Sequence, residues 1–195
     1  MELDETVNYI VSGLERSGTS MMMQILHAGG IPLAFDESRK PDDNNPKGYF
    51  ELEGGKIINK LIEGTFPFDS YKGKFVKITA FGLKHLPSGN YKIVFMERNL
   101  EEVLDSMEKM AKLSDENREE TKKSFQNLNE KVKREIQNRK DIDILTINYN
   151  DFLMDPKNNI MKICNFLKME NPDLQTMVGV IDKRLYRQRR ELFSD

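Results

Sequence analysis

"YIVSGLERSGTSMMM", residues 9–23, begins as a run of β-branched and aromatic residues and ends in methionines, with Gly13, Gly18 and the charged pair Glu15-Arg16 between. The apolar run closed by Gly13 reads as a buried strand. The run after Gly18, in which Met21, Met22, Ile25 and Leu26 share one face, reads as a helix that Gly29-Gly30 stops. A strand that turns through glycines into a helix aims backbone N–H groups, and the positive end of the helix, at one spot. That spot suits an anion. A ligand-free strand–turn–helix is the plainer reading of the same residues, because glycine also marks tight turns.

Outward from this stretch, "VNYIVSG" (7–13), "KFVKITA" (74–80), "YKIVFME" (91–97) and "DIDILTINY" (141–149) read as four buried strands with helical periodicity between or after them. Asn99 followed by Glu102 predicts a capping-box start for one helix. Asp155-Pro156 predicts another, with Ile160, Ile163, Cys164 and Leu167 on its buried face. Residues 115–141 are almost all charged or amide, with Phe125, Leu128, Val132 and Ile136 as a thin stripe, and read as a long outer helix with a solvated face. This alternation predicts a three-layer α/β/α sandwich around a mainly parallel sheet, in one domain over residues 1–195. Ligands in such sheets sit beyond the carboxyl ends of the strands. The polar loop "DESRKPDDNNPKGYFE" (36–51) is long enough to be functional, or else a surface excursion.

The bulk numbers agree with one globular core: 195 residues, 38% hydrophobic and 32% charged. A net charge of −2 gives no global attraction to nucleic acid or an anionic membrane, so neither is expected as a partner. Cys164 is the lone cysteine, which excludes an internal disulfide and a zinc pattern and reads as core packing. No segment approaches the roughly 18 apolar residues of a membrane span, and "MELDETVNYI" lacks the basic start of a signal peptide. The expected compartment is the cytoplasm. The sequence gives no indication of oligomeric state.

The glycine spacing matches the phosphate loop G-x-x-x-x-G-K-[ST] through Gly13, Gly18 and Ser20, but Thr19 stands where the lysine belongs. The strand "KIVFM" runs into Glu97-Arg98, a poor match for the acid that orders magnesium in phosphoryl transfer. The loop therefore reads as built for an anion neutralised by protein cations and dipoles, with no metal expected. A kinase or nucleotide hydrolase with an altered Walker A lysine stays open as an alternative, as does a catalytically degenerate nucleotide-binding protein.

"LERSGTSMMMQIL" (14–26) resembles the 5′-phosphosulfate loop of sulfotransferases that use 3′-phosphoadenosine 5′-phosphosulfate, with Arg16 as the basic residue before Ser17, Gly18, Thr19 and Ser20. Met21 replaces the aromatic residue that often follows. "KIVFMERNLEEVLDSMEKM" (92–110) resembles the family's 3′-phosphate segment, a strand, then Arg98, then Ser106 eight residues on. Leu100 takes the place of the usual proline. "LTINYNDFLMDPKNNIMKICNFL" (145–167) and "NPKGYFE" (45–51) resemble further segments of the family, the second found in small bacterial-type members.

The resemblance implies a P-loop-type fold and an in-line, metal-independent transfer of a sulfonate to a hydroxyl or amine on a small-molecule or glycan acceptor. It assigns Arg16, with the N–H groups of Ser17 to Ser20, to the charge developing at the departing 5′-phosphate, and Arg98 with Ser106 to the 3′-phosphate. Lys77 would approach the sulfonate, or is a plain strand-edge lysine. Glu51 is the first candidate for a general base, though acids also favour a first helical turn; Asp36 and Glu37 are weaker candidates. His85 in "LKHLP" echoes the family's catalytic histidine at the wrong distance from Arg98, and His27 reads as a helix C-terminal residue. Lys183, Arg184 and Arg187, in the basic segment 182–190, would close on the 3′-phosphate or lie in solvent. The loop at 36–50 and the region of Phe66, Phe68 and Tyr71 are expected to border the acceptor.

Overall fold

The computed structural model describes residues 2–187. β1 (Asn8–Gly13), buried at every position, is the central strand of a five-stranded sheet. β3 (Phe75–Lys77) and then β2 (Leu33–Ala34) lie on one side of it; β4 (Tyr91–Glu97) and then β5 (Ile142–Asn148) lie on the other. Every pairing is parallel, with Tyr9 facing Phe75 across one ladder and Lys92 across the next. A parallel sheet is covered on both faces, which is why its strands read as nearly continuous apolar runs.

Alternate residues feed two separate cores. Tyr9, Val11, Phe75, Val94 and Met96 join the core beneath α1 (Thr19–Ala28), α6 (Pro156–Phe166) and α7 (Leu174–Gly179). Ile10, Val76, Ile93 and Phe95 join the core on the opposite face, under α4 (Arg118–Gln137), α2 (Ile58–Ile62) and a 3-10 turn at Ala80–His85. The result is the expected three-layer sandwich. Val132 and Ile136 of α4 are buried, with Phe125 and Leu128 packed beside them, and the charged face adds ion pairs from Arg118 and Lys122 to Glu101 and from Lys133 to Glu97. Cys164 is buried in the first core. No helix among the described residues is long and apolar enough to cross a membrane.

The structure departs from the sequence reading in three places. The run at 74–80 yields three strand residues, because the chain leaves the sheet after Lys77 for the 3-10 turn. β2 is an unforeseen two-residue strand. The Asn99 side chain does cap α3 (Leu100–Ala111), accepting from the amides of Glu101 and Glu102, but Glu102 does not complete a capping box. Its carboxylate turns to Arg98 instead, and the Asn99 amide donates to Asn150. Asp155 caps α6 as expected, with Pro156 in the first turn.

Candidate active site

The loop between β1 and α1 is shaped by residues that tolerate no substituent. At Gly13, φ is +149° and a Cβ would lie 2.4 Å from the Met96 carbonyl oxygen. At Gly18, φ is +99° and a Cβ would lie 2.4 Å from Cδ2 of Tyr149. Arg16 itself holds φ at +65°, a left-handed conformation that costs a non-glycine residue about 1–3 kcal/mol and persists where surrounding structure enforces it. Ser17 supplies part of that enforcement: its amide and its hydroxyl both donate to the Leu14 carbonyl, at 3.2 and 2.7 Å. Its donors therefore turn inward, and Ser17 does not line the cavity, unlike its neighbours Arg16, Gly18, Thr19 and Ser20. No side chain among the described residues caps α1, whose leading amides have no acceptor within the helix.

These amides open into a cavity of about 330 Å³ at the carboxyl ends of β1, β3 and β4, where the chain order of the sheet reverses. Arg16 and Arg98 both line it. Nε of Arg16 donates to Oγ of buried Ser106 at 2.9 Å, and Nη1 of Arg98 donates to the Arg16 carbonyl at 3.1 Å, so the two phosphate-type elements are one hydrogen-bonded unit. Burial pushes the Arg16 guanidinium below its ordinary value.

Arg98 is held from several directions. Its Nε donates to Glu102 at 2.9 Å, in a pair whose side chains are 8% and 1% exposed. Its guanidinium lies 4.7 and 5.4 Å from the ring centres of Tyr149 and Tyr186. Glu102 also accepts from the Asn150 amide at 3.1 Å and from the Tyr186 hydroxyl. Burial, then the bond to Glu102, pushes the Tyr186 phenol up to about 12.

On the other side of the loop, Lys77, the last residue of β3, reaches back under it. Its ammonium donates to Oγ of Ser20 and to the Tyr49 carbonyl, each at 2.8 Å, and pairs with Glu51 at 2.8 Å. A cation from the neighbouring strand thus stands at the end of the loop, where Thr19 has displaced the usual lysine. Burial pushes the Lys77 ammonium below its ordinary value against the opposing pull of Glu51. The second oxygen of Glu51 pairs with Nη1 of Arg39 at 3.0 Å. Arg39 lies 3.5 Å above the Tyr49 ring, and the Tyr49 hydroxyl donates to Asp42 at 2.9 Å. Burial draws Arg39 down, but Glu51 and Tyr49 outweigh it and hold its guanidinium above the ordinary value. Gly55 makes room for the Glu51 carboxylate: at φ +85° its Cβ would sit 3.0 Å from Oε2.

Lys77 and Glu51 line the same cavity as the two arginines, whereas several other residues singled out in the sequence do not. Arg184 is 90% exposed and paired with Asp182 two residues before it, and Arg187 donates to the Asp43 carbonyl at 2.8 Å. Neither they nor Lys183 lines the cavity; the segment contributes Asp182 and Leu185 instead, beside Val180. Residues 188–190 of the basic segment fall outside the described residues. His85, Phe66 and Phe68 line a second cavity, and Tyr71 stacks on Phe66, so this region does not border Glu51. Asp36 ties its own loop together by accepting from the amides of Ser38 and Glu53. Glu37 is exposed, and the His27 ring contacts Phe35 and Phe50 at the end of α1. Arg39 and Tyr186 are not singled out in the sequence, and Glu102 reads there only as a capping residue. The position of Tyr49 and Glu51 at the end of one long loop was the available hint for Arg39.

Comparison with known proteins bears on the fold and the family. No curated protein matches the chain. Among solved structures, a sulfotransferase from Mycobacterium tuberculosis superposes with a TM-score of 0.56 at 14% identity, over 93% of this chain and 73% of that one. The sulfotransferase domain of an olefin synthase from Synechococcus superposes with a TM-score of 0.53 at 15% identity, over 94% and 83%. That of the curacin biosynthetic pathway gives 0.51 at 14%, over 85% and 75%. At such identities these likenesses establish the fold. The family described as Sulfotransferase domain matches residues 7–188, nearly the whole chain, and the protein belongs to that family.

Proposed function

We propose that the protein transfers a sulfonate from 3′-phosphoadenosine 5′-phosphosulfate to a hydroxyl or amine of its acceptor, by in-line displacement with no step assigned to a metal. The observation that carries this reading is the shared cavity of Arg16 and Arg98 at the mouth of an uncapped helix. The residues fit a doubly phosphorylated donor: a loop closed to any Cβ at Gly13 and Gly18, helix-end amides, and two arginines joined through the Arg16 carbonyl. When bound, that donor supplies a sulfonate activated by its link to a phosphate.

Each residue then has a defined task. Arg16 and the amides of Gly18, Thr19 and Ser20 neutralise the charge that gathers on the departing phosphate oxygen, a contribution larger in the transition state than in the ground state. Arg98 grips the 3′-phosphate, and Ser106 acts through Arg16. Lys77, bonded to Ser20 and Glu51, steadies the sulfonate end. Glu51 takes the proton that the acceptor hydroxyl or amine releases as its oxygen or nitrogen bonds to sulfur. The test is calorimetry with 3′-phosphoadenosine 5′-phosphate in the presence of a chelator, followed by transfer of labelled sulfonate to a panel of acceptors. Saturable binding without magnesium supports the reading; magnesium-dependent ATP binding in its place would overturn it.

A further inference from the structure

The acceptor's chemistry is written in the loop that carries Glu51. This loop contributes Arg39, Asn44, Asn45, Tyr49, Glu51 and two glycines to the cavity. The set consists of charges, amides and bare backbone. Its one aromatic ring, Tyr49, is covered by the guanidinium of Arg39 at 3.5 Å. The aromatic cluster of Phe66, Phe68 and Tyr71, which would have suited a flat apolar acceptor, stacks on itself elsewhere. A wall of this kind binds hydroxyls through amides and backbone rather than rings through contact area.

Arg39 adds a sign to that preference. Its Nη1 is spent on Glu51, yet 38% of the side chain stays exposed on the cavity wall. Its fork is rigid, its charge permanent, and Tyr49 sets its plane from below. Asp42, another acid of the loop that feels the charge of Arg39, is occupied by the Tyr49 hydroxyl and the amides of Asn44 and Asn45. A planar cation fixed beside a general base matches a planar anion fixed beside the reacting hydroxyl.

We propose that the acceptor is a polyhydroxylated molecule bearing a carboxylate, and that Arg39 binds this carboxylate while Glu51 receives the proton of a neighbouring hydroxyl. The inference rests on the sulfonate-transfer reading above and adds its substrate class. Glycosides of uronic acids, set against the same glycosides with a hydroxymethyl group in place of the carboxylate, isolate the feature. With donor saturating, transfer of labelled sulfonate to the acidic member of each pair should exceed transfer to the neutral one by about ten- to hundredfold in kcat/KM. In Arg39→Gln both rates fall, because Glu51 loses a support, but the ratio collapses toward one. Arg39→Lys restores part of it; a purely structural role for Arg39 would leave the ratio untouched in all three proteins. Equal or inverted rates in the wild type, or no transfer to either member while 3′-phosphoadenosine 5′-phosphate binds normally, would overturn the proposal alone. Absence of that binding would remove the donor reading and the acceptor inference together.

Discussion

Nε of Arg16 donates to Oγ of Ser106 at 2.9 Å, joining residues ninety positions apart in the chain. Ser106 is buried on α3 outside the cavity lining, and in the proposed function it aims Arg16. Ser106→Ala should therefore lower turnover about tenfold, the equivalent of one ordinary hydrogen bond, with a smaller effect on acceptor KM. Arg16→Ala should cost more, and the double variant should be no worse than Arg16→Ala. Additive losses in that cycle would show the two residues acting separately.

Arg98 has a structural duty besides its proposed one. Its partner Glu102 is 1% exposed, and a buried acid stripped of its cation destabilises a fold by about 3–5 kcal/mol. Asn150 and Tyr186 still donate to Glu102, which puts Arg98→Ala at the lower end. Denaturant titration should show that loss, and calorimetry a loss of 3′-phosphoadenosine 5′-phosphate binding. Pairing Arg98→Ala with Glu102→Gln should recover stability without recovering binding.

What the sequence made legible divides along a physical line. β1 and β4 declared themselves through residues buried on both faces, β5 through its β-branched run although Asp143, Thr146 and Asn148 are exposed at the sheet edge, and the loop through glycines that admit no Cβ. Arg16, Ser20 and Arg98 could be placed in one crevice because strand ends fix where they point. β2, two residues long, leaves no periodicity to read. Glu102 was misread because a cap and an ion pair ask for the same residue type at the same place, and Arg98 won it. Arg39 lies on a loop whose path depends on left-handed backbone at Phe50, Glu53 and Gly54, which no hydrophobic pattern encodes.

Gly18→Ala tests the loop directly. The new methyl would meet Tyr149 at 2.4 Å, in a backbone conformation that L residues avoid. Strain of that kind costs more than about 1 kcal/mol. Relief by tilting Tyr149 would disturb the ring that faces Arg98. A drop in melting temperature accompanied by weakened donor binding is expected; stability lost with binding intact would separate the loop from the site.

Alkaline titration addresses Tyr186. Its phenol is raised from 10.0 to about 12, chiefly by burial and then by donating to Glu102. Below 10 the phenol is protonated in both folded and unfolded chains, and its contribution is complete. Between 10 and about 12 the unfolded phenol ionises first, which draws the equilibrium toward unfolding. Wild-type protein should lose stability relative to Tyr186→Phe across that window, seen as converging urea midpoints. Midpoints that keep a constant separation would mean that Tyr186 is not held by Glu102 in solution.

Glu51 and Lys77 touch, but their variants should fail differently. Glu51→Gln removes the proposed base, so kcat should fall about a hundredfold to ten-thousandfold. The affinity for 3′-phosphoadenosine 5′-phosphate should hold or rise, because Lys77 and Arg39 both lose the acid that neutralises them. Lys77→Met strips the cation from Ser20 as well as from Glu51, so affinity and kcat should fall together. Burying an apolar stem where an ammonium was held below its ordinary value removes a desolvation penalty, and Lys77→Met should keep its fold despite losing the pair. The two variants thus separate proton removal from donor binding, with calorimetry and single-turnover rates measured on the same preparations. If Glu51→Gln weakens binding while sparing the single-turnover rate, the carboxylate is a strut for Lys77 and the base lies elsewhere in the cavity.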